Sequence, residues 1–203
     1  MKEPLTKQSC SAFAELLSSR AAVPGGGGAA ALCGALGAAL GAMAGRLSAR
    51  GQEEALDPLV ERADGLRLRL LALVDADAEG FAPLAAAYAL PKDAPDRAAA
   101  LCAATREACQ APLGMMRACL DALLLLEQLR PLCKPLLLSD VGCGAALCGA
   151  ALEAAAMNVF VNTHSLPAEQ RREWEAMADA WLREGKERAA ALTADVLAEL
   201  RKE

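Results

Sequence analysis

Pro24-Gly25-Gly26-Gly27-Gly28-Ala29-Ala30-Ala31 leads into a run of alanine, glycine and leucine, and no side chain from Ala21 through Gly45 is charged. Proline fixes its own φ, and the glycines admit backbone conformations that a Cβ forbids, so the opening reads as a turn. Behind it, Ala29 to Leu47 reads as a helix whose N-terminus rests on that turn. Exposed N–H groups and the positive end of the helix dipole suit an anion or an electron-rich ligand edge. A second reading stands beside the first. Gly34, Gly37, Gly41 and Gly45 recur at spacings of three and four, which leaves one side of the helix small enough for another helix backbone to approach closely.

A second stretch has the same character. Ser139-Asp140 reads as a helix start, and Gly142, Gly144, Ala145, Gly149 and Ala155 give that helix, running to about Val161, small residues too. Two such helices predict a close-packed central pair sheathed by more charged ones. The other elements follow from caps and breakers. Ser9 or Ser11 caps a short helix to about Arg20. Asp57-Pro58 opens a helix toward Gly80, and a separate short one holds Phe81 to Leu90. Asp96 caps a long helix to about Leu129, kinked at Pro112, and Pro167 opens a charged terminal helix. No β alternation is visible. The expected fold is all-α, an antiparallel bundle with a kinked long helix, in one domain over residues 1–203.

Composition agrees. Of 203 residues, 55% are apolar but only 3% aromatic, so the core must be built from Ala, Leu, Val and Cys. The net charge of −5, without a basic cluster, argues against nucleic acid as partner. Residues 21–45 are long enough to cross a bilayer, but Gly and Ala favour insertion weakly, and a central helix of a bundle accounts for them better. The Met1-Lys2-Glu3-Pro4 start carries no apolar signal segment. Eight cysteines without a Cys-x-x-Cys pair, beside a single histidine, His164, fit reduced and buried thiols of a cytoplasmic protein rather than a metal site.

Candidate chemistry falls in two places. Asp75, Asp77 and Glu79 stand at alternate positions: Asp75 and Glu79 share a helix face and Asp77 points elsewhere. Crowded carboxylates raise one another's pKa, which suits acid–base work; a solvated acidic surface is the alternative. On the late helix Asn158 and Asn162 are four apart on an otherwise apolar element. Asp140 lies eighteen residues before Asn158, five turns, on the same stripe. Stacked amides in such a place form either a polar network or a ligand site. Glu153 reads as an interhelical contact, His164 as a cap or surface residue, and Lys92, Arg46 and Arg97 as cations able to meet a ligand carboxylate.

Taken in order, several of these pieces resemble the formiminotransferase-cyclodeaminase family. They are Pro24-Gly25-Gly26-Gly27 with Ala29-Ala30-Ala31, Asp77-x-x-Gly80-Phe81, Leu90-Pro91-Lys92, Pro112-Leu113, Ser139-Asp140-Val141-Gly142 and Asn158-Val159-x-x-Asn162. The resemblance covers roughly residues 5 to 170. The chain departs from the pattern at Gly28, where a serine is usual, at Arg50-Gly51-Gln52 and at Lys134–Leu138. The resemblance implies a cytoplasmic, all-helical homodimer with the site near the subunit interface. It also implies action at the N5–N10 one-carbon bridge of tetrahydrofolate, as a methenyltetrahydrofolate cyclohydrolase or a formiminotetrahydrofolate cyclodeaminase. Both reactions pass through a tetrahedral carbon and need proton transfer, with neither metal nor cofactor besides the folate substrate. Asp140 or Asp77 is the implied acid–base group. Asn158, Asn162 and the Gly25–Gly27 backbone are the implied substrate contacts, with Lys92 or Arg46 at the glutamate tail. The alternative is a catalytically weakened member that binds folate or serves only as a helical dimer.

Overall fold

The computed structural model describes residues 3–202, and every regular element among them is helical. A 3-10 turn at Leu5–Lys7 precedes α1 (Cys10–Leu17), α2 (Gly26–Ser48), α3 (Glu53–Ala89), α4 (Arg97–Leu129), α5 (Leu138–Thr163) and α6 (Ala168–Leu200). Two further 3-10 turns, Arg130–Leu132 and Pro135–Leu137, bridge α4 to α5.

The boundaries follow local chemistry. Ser9 caps α1, its hydroxyl accepting from the Ala12 N–H at 3.1 Å. α2 begins inside the glycine run, three residues earlier than the alanines suggest, because Gly26–Gly28 already hold helical geometry. After α2 the chain reverses at Gly51, whose φ of +84° only glycine adopts without strain.

The largest correction concerns α3. Gly80 and Pro83 do not end it; one helix of 37 residues runs from Glu53 to Ala89 and carries both Pro58 and Pro83 inside. Proline removes one backbone donor, but Gly80 lies flat against the α4 backbone at Glu107 and Ala108, so packing holds the helix through the break. Asp96 precedes α4 and Ser139 lies within α5, but neither helix has a side-chain cap; α5 starts from Leu138 after a 3-10 turn.

α2 and α5 run antiparallel in backbone contact. A Cβ on Gly37 would meet the Gly144 carbonyl oxygen at 2.8 Å, and one on Gly144 would meet that of Gly37 at 2.9 Å. The close pair expected from the glycine spacing is therefore present, but it is not sheathed. The buried centre is α4, whose Met115, Met116, Leu123 and Leu126 are inaccessible to solvent. One outer face of the pair is open: Leu36, Met43 and Leu47 of α2 and Met157 and Val161 of α5 are exposed. Three stretches, Gly26–Ser48, Arg97–Leu132 and Pro135–Thr163, are long and apolar enough to cross a membrane by length and composition, and all three pack against one another in this bundle.

α6 closes the far side through polar clasps. Lys186 Nζ lies 2.9 Å from Glu153, the interhelical contact expected of that residue, and Arg188 pairs with Glu127 of α4 at 2.8 Å. Cys109, Cys119 and Cys148 pack as small apolar groups, and burial pushes the thiols of Cys109 and Cys119 up to about 12. Cys10 and Cys143, against expectation, are exposed.

Candidate functional site

A cleft of about 320 Å³ opens where α2 begins, α3 nears its end and α5 finishes. Ala22, Val23 and Gly25–Gly27 form its end wall, and Ala108 of α4 lies at its floor. From α3 come Asp77, Phe81, Leu84 and Tyr88, spaced four, three and four apart and so on one stripe of that helix. From α5 come Asn158, Val161 and Asn162.

Asp77 is seated on the glycine turn. A methyl group on Gly27 would fall 2.5 Å from the Asp77 Cγ, so only glycine lets the carboxylate rest there. Burial raises the Asp77 pKa above the usual carboxylate value, while a hydrogen bond from the Gly28 N–H partly opposes the shift. The result is a half-buried carboxyl held at the N-terminus of α2.

Its two acidic neighbours do other work. Asp75 accepts the Leu5 N–H at 2.6 Å and the Thr6 hydroxyl at 2.9 Å, stitching the N-terminal segment to α3. Glu79 faces the adjoining hollow beneath that segment, away from the cleft. The alternate spacing had separated Asp77 from the other two, and the fold separates them in the same way.

The paired amides are oriented by the backbone. Asn158 Nδ2 donates to the Ala154 carbonyl at 2.8 Å, and Asn162 Nδ2 donates across to Ala108 of α4 at 3.4 Å. A Cβ on Gly26 would lie 3.5 Å from Asn158 Nδ2, so the amide and the glycine turn face each other directly.

Three expected site residues do not reach this cleft within one chain. Asp140, at the start of α5, is eighteen residues from Asn158, about 27 Å along the axis at 1.5 Å per residue. Sharing a stripe fixed its direction around the helix, not its distance. Arg46 lies at that same far end, exposed and ion-paired with Asp64, in an open hollow of about 470 Å³ that Met43, Leu47 and Arg67 also line. Lys92 is exposed on the connector between α3 and α4, four residues beyond Tyr88. Arg97 is engaged locally, its Nε donating to the Leu90 carbonyl at 3.1 Å. His164 caps the end of α5 and is exposed. Phe81 and Tyr88 were not singled out as site residues from sequence; the signal was their seven-residue spacing on the stripe that starts at Asp77.

The family model for formiminotransferase-cyclodeaminase matches residues 9–179. A methenyltetrahydrofolate cyclohydrolase from Methylorubrum extorquens is 36% identical over 163 residues, which cover 76% of this chain and 78% of that protein. The formimidoyltransferase-cyclodeaminase of Rattus norvegicus is 33% identical over 170 residues; the match takes in 79% of this chain but only 31% of the longer rat protein. In fold, the chain is similar to a formiminotetrahydrofolate cyclodeaminase from Thermotoga maritima, with a TM-score of 0.82 over 94% of this chain and 98% of that one at 24% identity. The glycine turn, the acid resting on it and the paired amides thus sit within a matched region that spans most of the molecule, and the chain belongs to the formiminotransferase-cyclodeaminase family.

Proposed function

We propose that this protein acts on the N5–N10 one-carbon bridge of tetrahydrofolate, as a cyclohydrolase or a cyclodeaminase, with Asp77 moving the proton. The observation that carries the reading is the Asp77 carboxylate, desolvated and seated on Gly27 opposite Asn158. In the hydrolytic direction Asp77 takes a proton from water as the oxygen bonds to the bridging carbon. It returns that proton to the ring nitrogen as the carbon–nitrogen bond breaks, and the remaining hydroxyl proton passes to water as the formyl carbonyl forms. In the deaminating direction N10 bonds to the formimino carbon and gives its proton to the carboxylate, which passes it to the nitrogen that leaves as ammonia when its bond to that carbon breaks. Both sequences need one group that accepts and then donates, near the pH at which the enzyme works.

The substrate contacts are Gly25, Gly26, Gly27, Asn158 and Asn162 around the cleft. The working unit in this proposal is a cytoplasmic homodimer that uses no cofactor besides the folate. Its interface is the open α2–α5 face, where Leu36, Met43, Leu47, Met157 and Val161 present a stripe that a second copy matches with its own. A two-fold axis that crosses this face perpendicular to α5 carries the start of one chain's α5 toward the end of the other's. Asp140 and Arg46, distant within one chain, would then approach the cleft of the partner subunit.

The test offers both methenyltetrahydrofolate and the formimino substrate to the wild-type protein and to Asp77→Asn, following bridge opening and ammonia release separately. Wild-type turnover of one substrate, reduced by about 10²–10⁴-fold in Asp77→Asn, is expected. Full activity in the variant would remove Asp77 from the mechanism. Folate binding by the wild type without turnover would favour the second reading, a member that binds but no longer catalyses.

A further inference from the structure

The chain has six aromatic residues, three Phe, two Trp and one Tyr. Phe13 is buried, and Phe160, Trp174 and Trp181 pack against the same core. The other two, Phe81 and Tyr88, are 37% and 53% exposed, and both stand on the cleft wall. Their seven-residue separation is two helical turns, with Leu84 between them on the same stripe. A molecule this poor in aromatics, which exposes two of them along one cleft, has a flat apolar rail there.

The opposite wall is polar in a particular sense. Each amide of Asn158 and Asn162 spends one of its two N–H donors on a backbone carbonyl, and no protein donor among the described residues meets its oxygen, so the oxygen and the second N–H are what it offers a ligand. Asp77 adds carboxylate oxygens at the end of the cleft. A flat face beside a row of acceptors fits a ring that stacks on one side and carries N–H donors along its edge.

We propose that Phe81 and Tyr88 are specificity-determining residues that stack the fused amino-oxo-pyrimidine ring of the substrate, while the Asn158 and Asn162 oxygens accept from its N–H edge. This proposal rests on the folate reading and goes further: it assigns the ring end of the substrate, not the glutamate tail, to this cleft. The stripe also sets the direction of entry. The reacting bridge lies at Asp77, and the ring extends along α3 past Phe81 toward Tyr88.

The experiment measures equilibrium binding of tetrahydropterin without its aminobenzoylglutamate, and of aminobenzoylglutamate alone, to the wild type, Phe81→Leu, Tyr88→Leu and Tyr88→Phe. Folate turnover and molecular mass in solution are followed in parallel. Tetrahydropterin should bind the wild type and weaken about tenfold in each Leu variant, the size of one lost ring-on-ring contact. Tyr88→Phe should bind within about twofold of wild type, because the stacking face is kept. For turnover, KM should rise while kcat holds. The proposal is overturned if the wild type fails to bind tetrahydropterin, if the Leu variants bind it as well as wild type does, or if their loss follows a loss of self-association. A wild type that binds tetrahydropterin in this pattern but turns over no folate would sink the enzymatic reading and leave the stacking rail standing. Intact turnover with unchanged binding in the variants would do the reverse.

Discussion

Gly27 shows how one missing side chain shapes the cleft. Its Cα is where the Asp77 carboxylate rests, and a single methyl group there overlaps the carboxyl carbon. Gly27→Ala should push Asp77 off the turn while leaving the helix intact. Activity should fall about 10²-fold, the cost of displacing a reacting group by an ångström or so, with the melting temperature little changed. Asp77 itself makes a pH statement. Its folded pKa is raised by burial, so the folded state holds the proton more tightly than the unfolded chain does. The stability this contributes is complete below the ordinary carboxylate value and is lost as pH rises through the raised folded one. Asp77→Asn should therefore melt higher than wild type near neutral pH, with the difference shrinking in acid. A scan of melting temperature against pH checks it, and an unchanged difference across the range would contradict the assignment. The glycine turn and the two asparagines were legible from sequence because local spacing is enough to define them. The role of Phe81 was hidden, since an apolar ring on an amphipathic helix reads as core until its exposure is known.

Among the elements, the contact of α2 with α5 is the least tolerant. Gly37→Ala sets a methyl group 2.8 Å from the Gly144 carbonyl oxygen and 2.5 Å from the Cys148 sulfur, and a backbone cannot step aside as a side chain can. A loss of about 1–3 kcal/mol is expected from denaturant unfolding. Gly65 in α3 is the control. Nothing lies within 4 Å of a Cβ added there, so Gly65→Ala should stabilise by about 0.5–1 kcal/mol. Glycine periodicity could reveal that α2 and α5 touch, because it reports close approach. It could not reveal that α3 continues past Gly80 and Pro83, because what holds that helix is α4, far away in sequence. The shared stripe on α5 drew Asp140 and Asn158 together, although their eighteen-residue separation along one helix already put them about 27 Å apart. Periodicity gives an angle about an axis and is silent on length.

At the scale of the whole molecule, the open face of α2 and α5 and the two separated clusters belong to one question. If a second copy covers that face, Asp77 and Asp140 serve the same cleft from different chains. Mixing inactive Asp77→Asn and Asp140→Asn proteins and allowing subunits to exchange should then restore activity to about a quarter of wild type, because half the dimers are mixed and each mixed dimer keeps one intact cleft. Full activity of Asp140→Asn by itself would place Asp140 outside the mechanism, and no recovery from two inactive variants would show that Asp140 does not serve the partner's cleft. Cys143 lies on the outward side of α5, three, seven and fourteen residues before Ala146, Ala150 and Met157, and is exposed in the single chain. That position makes it an addressable handle. If a second copy covers this face, a maleimide reagent in a Cys10→Ser background would label Cys143 readily in dilute, separated subunits and slowly in associated ones, turning the geometry of the face into a rate that can be timed.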